Sequence, residues 1–323
     1  MSFSRDSKLE ILNCEFEDAN TSLAFLSGLF HACGQITKNA QGLRADIVTD
    51  IKEIFDITNK IAQKLYGDEL KIEISDDYII NKTIYYRIMF PYEISMRVLQ
   101  DCGLIREHSL EIVNNIDQNV IPDDDTKREF IRGAYVGCST SSIRFSELGS
   151  QNNTTGYHVE FSSHNLTFLQ DLQELLIHFN ITAKLFERKS SFVLYLKDSE
   201  GIKDLLALVG ANESVFGLVN EMATRGLRNT VNRQVNCIKA NINKTVEASL
   251  RQVEAIKKID DCLGLDALPE DLQDVAVLRL ANQEESMEEL LALSTIKLTK
   301  SGLNHRFRRI IKIAENLSKE NKE

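Results

Sequence analysis

The chain has few of the residues that mark small metal-bound or disulfide-bonded proteins. Its 323 residues include only three prolines and six cysteines, and no two cysteines lie within four positions of each other. That spacing excludes zinc-finger patterns and a compact disulfide framework, so we expect no metal ion and no cofactor. We interpret the thiols as reduced and mostly buried in the core. They are Cys14, Cys33, Cys102, Cys138, Cys237 and Cys262.

Long apolar runs are also missing. No segment approaches the roughly 18 apolar residues that a membrane span needs, and the N-terminal sequence MSFSRDSKLEIL lacks the apolar core of a signal peptide. We therefore expect a soluble protein of the cytoplasm with no membrane partner. With 43% apolar residues, the chain is long enough for two or three domains that each have a core.

The three prolines stand where predicted elements begin or end. Pro91 follows the alternating strand TIYYRIMF, Pro122 precedes a DDD sequence that we interpret as an acidic linker, and Pro269 belongs to the first turn of a predicted helix. The helix after the acidic linker has a capping-box pattern, Thr126 with Glu129 three residues later, which predicts a helix start near residue 126.

Charge is distributed unevenly along this acidic chain, whose net charge is −10. Residues 1–224 include 21 basic and 33 acidic residues, whereas residues 225–323 include 17 basic and 15 acidic residues. Within the second part, 225–258 has eight basic and two acidic residues, and 297–312 has six basic residues and none that is acidic. Two basic patches on an acidic protein indicate a confined binding surface for a polyanion. The alternative for either patch alone is a solvated helix face.

One motif occurs twice, as FLSGLFHACG at 25–34 and as FIRGAYVGCS at 130–139. Such self-similarity predicts a duplicated half-domain. The shared positions, each pair separated by 105 residues, are Phe25 and Phe130, Gly28 and Gly133, and Cys33 and Cys138.

The same order of elements follows each copy: strand, helix, strand, strand, helix. The predicted strands are 43–49, 70–75 and 83–90 in the first half, and 157–161, 183–187 and 192–197 in the second. One further strand per half is expected in the polar stretches 35–42 and 141–148.

Strands end near residue 213, and a long helical connector follows. Its apolar line has spacings of three, four and seven residues and consists of Val231, Val235, Ile238, Ile242, Val246, Val253 and Ile256. Arg and Asn side chains fill another face and donate hydrogen bonds well to phosphate oxygens. They are candidate secondary phosphate contacts, with a solvated face as the alternative: Arg225, Arg228, Asn229, Asn232, Arg233 and Asn236.

Three short helices are predicted between residues 268 and 317. The first spans about Pro269 to Ala281, the second begins at the capping box of Ser286 and Glu289, and the third follows Thr299 as its N-cap. This order is typical of a helix-turn-helix domain. On the third helix the spacing of four, three and four residues assigns a core face to Leu303, Phe307, Ile310 and Ala314.

The opposite face of the third helix has the side chains that a major-groove helix needs. Arg and Lys donate to guanine, Asn forms two hydrogen bonds with adenine, and a recognition helix uses mainly its N-terminal residues. A three-helix domain that docks on another protein is the alternative. We assign Lys300, Ser301, Asn304, His305 and Arg308 to bases, Arg306, Arg309 and Lys312 to phosphates, and Thr299 to the start of the interface.

These features together resemble the WhiA family of bacterial regulators, which are similar to two-repeat LAGLIDADG homing endonucleases with an added helix-turn-helix domain. The resemblance covers nearly the whole chain and is most specific in MSFSRDSKLEI, NRQVNCIKANINKT, RQVEAI, LPEDLQDVAVLRL and TKSGLNHR, while LSGLFHACG is related to LAGLIDADG. It implies an α+β fold with a pseudo-twofold duplicated LAGLIDADG-like N-terminal domain, a helical connector and an all-α C-terminal domain. The expected boundaries are 1–120 and 121–212 for the two halves, 213–264 for the connector, 265–318 for the helix-turn-helix domain and 319–323 for a polar tail.

The resemblance also raises the question of nuclease activity. In such nucleases each motif helix ends in an acid that binds a catalytic metal ion, and here Cys33 and Cys138 hold those positions. Mg²⁺ requires hard oxygen ligands, and a thiol in an apolar interface stays neutral. We therefore predict no endonuclease activity and treat both cysteines as small core residues. A redox pair or a soft-metal site is the less favoured interpretation.

The resemblance implies a sequence-specific DNA-binding transcriptional regulator of cell division and chromosome segregation, with a role in sporulation in sporulating relatives. Its partner is double-stranded DNA at the nucleoid in the cytoplasm. The nuclease-like domain would be a scaffold or a surface for a second regulator or RNA polymerase, and the oligomeric state stays open. The alternatives are an active site-specific endonuclease and a helical adaptor with no DNA role.

Overall fold

The computed structural model describes residues 2–40, 42–74, 83–106, 111–143, 156–294 and 298–320. They divide into two compact units, Met1–Arg225 and Gly226–Glu323, here called unit 1 and unit 2. Within the described residues, no helix combines the length and the apolarity that crossing a membrane requires.

Unit 1 begins with a helix and continues with two halves of the same design. In the first half, as far as the structure describes it, four antiparallel strands form a sheet in the order β1-β2-β4-β3. Its elements are α1 (Phe3–Leu12), α2 (Ala19–Cys33), β1 (Gly34–Asn39), β2 (Gly42–Thr49), α3 (Ile54–Tyr66), β3 (Lys71–Ile74), β4 (Tyr86–Met89) and α4 (Tyr92–Asp101).

The second half repeats that order and that topology. Its described strands are antiparallel and lie in the order β5-β6-β8-β7. The elements are α5 (Asp124–Cys138), β5 (Ser139–Ser142), β6 (His158–Ser163), α6 (Leu166–His178), β7 (Lys184–Arg188), β8 (Ser191–Leu196) and α7 (Ser199–Leu208).

The predicted duplication is confirmed, including the strands that the polar stretches concealed. Strand β1 lies almost wholly in 35–42, and β5 begins two residues before 141–148, of which 144–148 fall outside the described residues. Both strands follow their motif helix without an intervening loop. Because each is short and only half-buried, its apolar alternation is weak in the sequence.

The predicted start of α5 is wrong by two residues. Asp123 is the N-cap, so the DDD sequence is no linker: Asp124 and Asp125 form the first helical turn. The Asp123 carboxylate accepts a hydrogen bond from the Thr126 amide at 2.9 Å, and the Asp123 amide donates to Thr126 Oγ1 at 3.2 Å. Glu129 instead pairs with Arg132 at 2.8 Å. Aspartate caps a helix N-terminus as well as threonine does, and here Asp123 and Thr126 form the two reciprocal hydrogen bonds of the capping box.

The two motif helices pack against each other through their shared glycines. A Cβ atom added to Gly28 would lie 2.1 Å from the Phe130 carbonyl oxygen, and one added to Gly133 would lie 2.1 Å from the Phe25 carbonyl oxygen. The backbones therefore approach as closely as glycine permits. The side chains of Phe25 and Phe130 are fully buried in a hydrophobic core that both halves share.

Helix α8 (Asn212–Leu263) runs from unit 1 into unit 2 and is followed by a short 3₁₀ turn, Leu265–Ala267. The predicted long helical connector is thus confirmed as a helix. Its apolar line differs along its length: Val253 and Ile256 are buried, whereas Val231, Val235, Ile238, Ile242 and Val246 are exposed.

Unit 2 has its own hydrophobic core. Ile256 and Ile259 of α8 pack with α9 (Glu270–Ala281), α10 (Met287–Leu293) and α11 (Lys300–Glu320). The capping box of Ser286 and Glu289 is confirmed, and Thr299 Oγ1 accepts a hydrogen bond from the Gly302 amide at 3.1 Å. The last turns of α8 share one hydrophobic core with α9, α10 and α11. The division of the chain into five segments, with the connector at 213–264 separate from the helix-turn-helix domain, stays a prediction.

Candidate functional site

Helix α11 has one buried face and one exposed face, as its spacing predicts. Leu303, Phe307, Ile310 and Ala314 lie in the core of unit 2, which confirms the predicted core face. The predicted site residues on the solvent side are exposed, as are Glu315 and Asn316 farther along the helix: Thr299 before the helix, then Lys300, Ser301, Asn304, His305, Arg308, Arg309 and Lys312. The helix therefore presents cationic and amide donors together along its solvent side.

Several cations of α11 are held by acidic residues of neighbouring helices. Asp271 at the start of α9 pairs with Arg309 at 2.8 Å and lies 3.9 Å from Arg306, while Glu288 of α10 pairs with Lys300 at 2.7 Å. The Lys300 and Arg309 pairs are well exposed, so solvent screens them and a phosphate can replace either carboxylate at little cost. Within the described residues, no ion pair or hydrogen bond engages the Arg308 or Lys312 side chain.

Arg306 differs from the other cations because its side chain is only 21% exposed. Its Nη1 atom is buried and has no hydrogen-bond acceptor within the described residues. The structure thus places Arg306 at the edge of the core, between the apolar and the cationic faces of α11. Arg306 is therefore less accessible to a ligand in solution than Arg308, Arg309 or Lys312.

The candidate phosphate contacts on α8 separate into two groups. Asn229, Asn232, Arg233 and Asn236 are exposed along unit 2, and Arg228 is half-buried. Arg225 ends unit 1, where its Nε donates to Glu221 at 2.7 Å and its guanidinium stacks on the Tyr157 ring. Spacing on a helix cannot reveal those partners, because Tyr157 is far away in the sequence.

The second candidate site lies where α2 and α5 end, in unit 1. The thiols of Cys33 and Cys138 each donate to the carbonyl oxygen four residues earlier, at 3.4 Å. The pKa of each thiol is raised to about 12, mainly because protein atoms exclude water from the sulfur. Both thiols are therefore neutral near pH 7, and a neutral sulfur is a poor ligand for Mg²⁺.

Lys8 of α1 extends to the same place, which the sequence alone did not indicate. The residue is 8% exposed, and its electrostatic neighbours are the Asp50 carboxylate and, were they ionised, the two thiols. Burial lowers the pKa of Lys8, partly offset by those neighbours. The described residues contain no group of three His, Cys, Asp or Glu side chains with the geometry of a metal site. The helix ends thus carry an ammonium group among neutral thiols.

His31, two residues from Cys33, points elsewhere on α2, as predicted. Its Nδ1 lies 2.9 Å from the Ser27 carbonyl oxygen, and its ring packs edge-on against Phe130. The expectation that the cysteines are mostly buried in the core is wrong. Cys102 is buried, Cys14, Cys33 and Cys138 are half-buried, and Cys237 and Cys262 are exposed on α8. The connector holds them outside both cores, because only part of its surface is covered.

The neutral thiols of Cys33 and Cys138 lead to a prediction about chemical labelling. At pH 8, iodoacetamide should modify the exposed Cys237 and Cys262 of the native protein much faster than the half-buried Cys33 and Cys138. With a pKa of about 12, only about one in ten thousand of the Cys33 and Cys138 thiols is a thiolate at that pH. Mass spectrometry of proteolytic peptides measures each site, with labelling in urea as the control. Equal labelling of all four sites before unfolding would contradict the neutral state of Cys33 and Cys138.

Comparisons with known families match both units. A model described as the WhiA C-terminal HTH domain matches residues 231–314, and one described as the WhiA LAGLIDADG-like domain matches residues 22–81 and 128–228. Two relatives carry the name "Probable cell division protein WhiA". The protein of Clostridium botulinum strain Hall is 36% identical over 98% of this chain and 99% of its own length. That of Clostridium tetani is 35% identical over 99% of both.

A solved structure agrees with the fold. Full-length DUF199/WhiA from Thermatoga maritima has a TM-score of 0.59 and 24% identity, covering 98% of this chain and 99% of that one.

Proposed function

This chain belongs to the WhiA family, whose named relatives are cell division proteins, and from that premise we propose that it is a sequence-specific DNA-binding transcriptional regulator of cell division and chromosome segregation. In sporulating hosts the same regulation extends to sporulation. It acts on double-stranded DNA of the nucleoid in the cytoplasm.

The observation that carries this proposal is the exposed face of α11. Asn304, His305 and Arg308 project from the N-terminal half of the helix, opposite the buried Leu303 and Phe307. In a helix-turn-helix domain that half enters the major groove, where Asn and Arg each make paired hydrogen bonds with one base. Thr299, Lys300 and Ser301 begin the same interface, and Lys312 lies one further turn along for a phosphate.

Arg306 and Arg309 have a second role in this proposal. Both side chains lie near the Asp271 carboxylate of α9, so they help to hold α11 against α9 when DNA is absent. On binding, Arg309 exchanges Asp271 for a phosphate, whereas the less exposed Arg306 keeps the carboxylate. The α8 residues Arg228, Asn229, Asn232, Arg233 and Asn236 add phosphate contacts, and Arg225 does so only after leaving Glu221 and Tyr157.

Two substitutions distinguish base contacts from phosphate contacts. Arg308→Ala should weaken binding to the preferred site about tenfold and relax the preference for one base pair. Lys312→Ala should weaken binding to all sequences alike and reduce the slope of log affinity against log salt by about 1. Genome-wide mapping of bound sites identifies the preferred sequence, from which a duplex is made. Fluorescence anisotropy with that duplex at several salt concentrations then measures the affinity and the salt slope of each variant.

The control is Arg188→Ala, which removes an exposed arginine of β7 in unit 1. It should leave affinity and salt slope unchanged. If the unchanged chain shows no salt-dependent binding to duplex DNA, the alternative, a helical adaptor with no DNA role, holds instead. If it binds DNA but neither α11 variant changes that binding, this face of α11 does not contact DNA.

The duplicated domain of unit 1 serves in this proposal as a catalytically inactive scaffold or partner surface. Two neutral thiols and a buried lysine occupy the helix ends, where hydrolysis of DNA requires oxygen ligands for divalent metal ions. The excess of acidic residues in 1–224 favours contact with a protein, such as a second regulator or RNA polymerase, over extensive contact with DNA. Nicking of a supercoiled plasmid that depends on Mg²⁺ or Mn²⁺ and follows the purified chain would establish the alternative, a site-specific endonuclease.

A further inference from the structure

We propose that an exposed apolar face of α8 is the docking surface for an acidic amphipathic helix of a partner protein. This surface, here called the α8 apolar face, lies within unit 2. It is separate from the exposed face of α11, and the inference holds whether or not α11 binds DNA. The α8 apolar face consists of Leu227, Val231, Val235, Ile238, Ile242 and Val246.

The exposure of the α8 apolar face is the first reason. The exposed fractions of its six residues range from 40% for Val235 to 71% for Leu227. Consecutive members are three or four residues apart, so their side chains adjoin along about 30 Å of the helix. Scattered apolar side chains on a surface need no partner, but a large contiguous apolar patch marks an interaction site.

The same line of α8 is already an interface farther along the helix. Val253, 11 residues after Ile242, is buried, and Ile256 packs with α9, α10 and α11 in the core of unit 2. One line of apolar side chains is therefore covered by helices near the end of α8 and uncovered before it. A further helix continues that packing, because the same kind of surface extends along the same side of α8.

The spacing of the α8 apolar face allows one long helix to follow it. Its residues repeat at an interval of 11, which is three turns of 3.67 residues and close to the 3.6 of a straight helix. The face therefore stays on one side of α8, and a partner helix with the same spacing can lie along it with little supercoiling. The pairs separated by 11 residues are Leu227 and Ile238, Val231 and Ile242, and Val235 and Val246.

Charge determines which kind of helix fits. Residues 226–246 include four basic residues, Arg228, Arg233, Lys239 and Lys244, and none that is acidic. By the helical period, Arg228 and Lys239 border the α8 apolar face on one side. The exposed Lys239 forms no ion pair within the described residues. Carboxylates beside the apolar residues of a partner helix would pair with it, as flanking charges do in coiled coils.

The same charges argue against a second copy of this chain as the occupant. Two α8 helices paired through this face would bring four cations of each close to four of the other, and no carboxylate in 226–246 offsets them. Like charges brought together at an interface disfavour pairing. An acidic helix meets attraction in place of that repulsion.

Docking on the α8 apolar face leaves the candidate phosphate contacts accessible. By the helical period, Asn229, Arg233 and Asn236 lie on the opposite side of α8, and all three are exposed. Apolar side chains offer nothing to a phosphate oxygen, whereas they pack well against another helix. The two sides of α8 therefore suit different partners.

Fluorescence anisotropy of the full chain with a labelled helical peptide tests the proposal. The peptide has about 24 residues, enough to cover the face, with leucines at the spacing of the α8 apolar face and glutamates beside them. A second peptide has lysine in place of each glutamate. The glutamate peptide should bind saturably at one site per chain and at least about tenfold more tightly than the lysine peptide.

Two variants locate the binding on α8. Ile238→Gln should weaken binding of the glutamate peptide about tenfold, because a central apolar contact is lost. Lys239→Glu should weaken the glutamate peptide and strengthen the lysine peptide, a reversal that misfolding does not produce. The matched control is Val277→Gln, since Val277 is an apolar residue of α9 that is 57% exposed. It should leave the binding of both peptides unchanged.

The proposal is overturned if the glutamate peptide does not bind saturably, if both peptides bind alike, or if Ile238→Gln binds as the unchanged chain does. Sedimentation velocity adds another test: a dimer of the chain that Ile238→Gln dissociates would show that a second copy occupies the face. If Ile238→Gln weakens binding of duplex DNA as much as binding of the peptide, the face contacts DNA and the proposal is wrong.

Discussion

Gly28→Ala should destabilise unit 1 by about 3 kcal/mol or more and prevent α2 and α5 from packing as they do. The added Cβ would lie 2.1 Å from the Phe130 carbonyl oxygen, whereas even a close carbon–oxygen contact is about 3.3 Å. Both partners are backbone atoms of helices, so no rotamer change relieves the overlap. Moving the helices apart by about 1 Å would loosen the packing around buried Phe25 and Phe130.

Scanning calorimetry, with hydrogen exchange of the α2 and α5 peptides, measures this loss. Gly133→Ala should cost about the same, because its Cβ would meet the Phe25 carbonyl oxygen at the same distance. Gly201→Ala in α7 is the matched control: its nearest neighbour would lie at 3.4 Å, an ordinary contact. It should be neutral or stabilising by up to about 1 kcal/mol, since alanine favours helix. A stable Gly28→Ala protein would show that the two helices are farther apart than described.

Arg279→Ala should destabilise unit 2 by about 3 kcal/mol and expose α9, α10 and α11 to hydrogen exchange. The side chain is 1% exposed, and its Nη1 donates to the carbonyl oxygens of Asn282 at 3.2 Å and Glu285 at 2.7 Å. Its guanidinium also lies over the Phe307 ring, 5.3 Å from the centroid. The truncation leaves a cavity beside α11 and removes the donor that joins α9 to the α10 capping segment.

Hydrogen exchange followed by mass spectrometry locates this effect in unit 2. Arg279→Lys should recover little of the loss, because an ammonium group cannot match the planar guanidinium. Arg251→Ala removes an exposed arginine of α8 whose partner is Glu247 one turn away, and it should change stability by less than about 0.5 kcal/mol. If Arg279→Ala exchanges as slowly as Arg251→Ala, the buried guanidinium does not hold the helices together.

Sequence patterns predicted those parts of the fold that depend on local spacing. The offset of 105 residues predicted the paired halves, and the same offset separates the helix caps Asp18 and Asp123. The helical period divided α11 into a core face and a solvent face as observed. Strands β1 and β5 were harder to place because short, half-buried strands show little alternation.

Each residue that sequence reasoning missed depends on at least one partner far away in the sequence. Arginine is usually exposed, yet Arg279 lies in the core, where carbonyl groups of the following turn and the Phe307 ring stabilise it. Asp271 gains its role only when folding brings it to Arg309. Lys8 lies near Cys33 and Cys138, although Cys138 is far from it in the sequence. A side chain's charge and spacing do not state which of these environments it will enter.

The sequence by itself determined the duplication, the order of helices and strands, the family and the cationic solvent face of α11, because each depends on residue type repeated at short or constant spacing. Only the tertiary structure decided that the two cysteines share their end of the motif helices with a buried lysine, that Arg225 and Arg306 are less available than their neighbours, and that most of the apolar line of α8 is left exposed. Burial, pKa and charge pairing arise from atoms that folding brings together over long separations, and local patterns do not encode those distances.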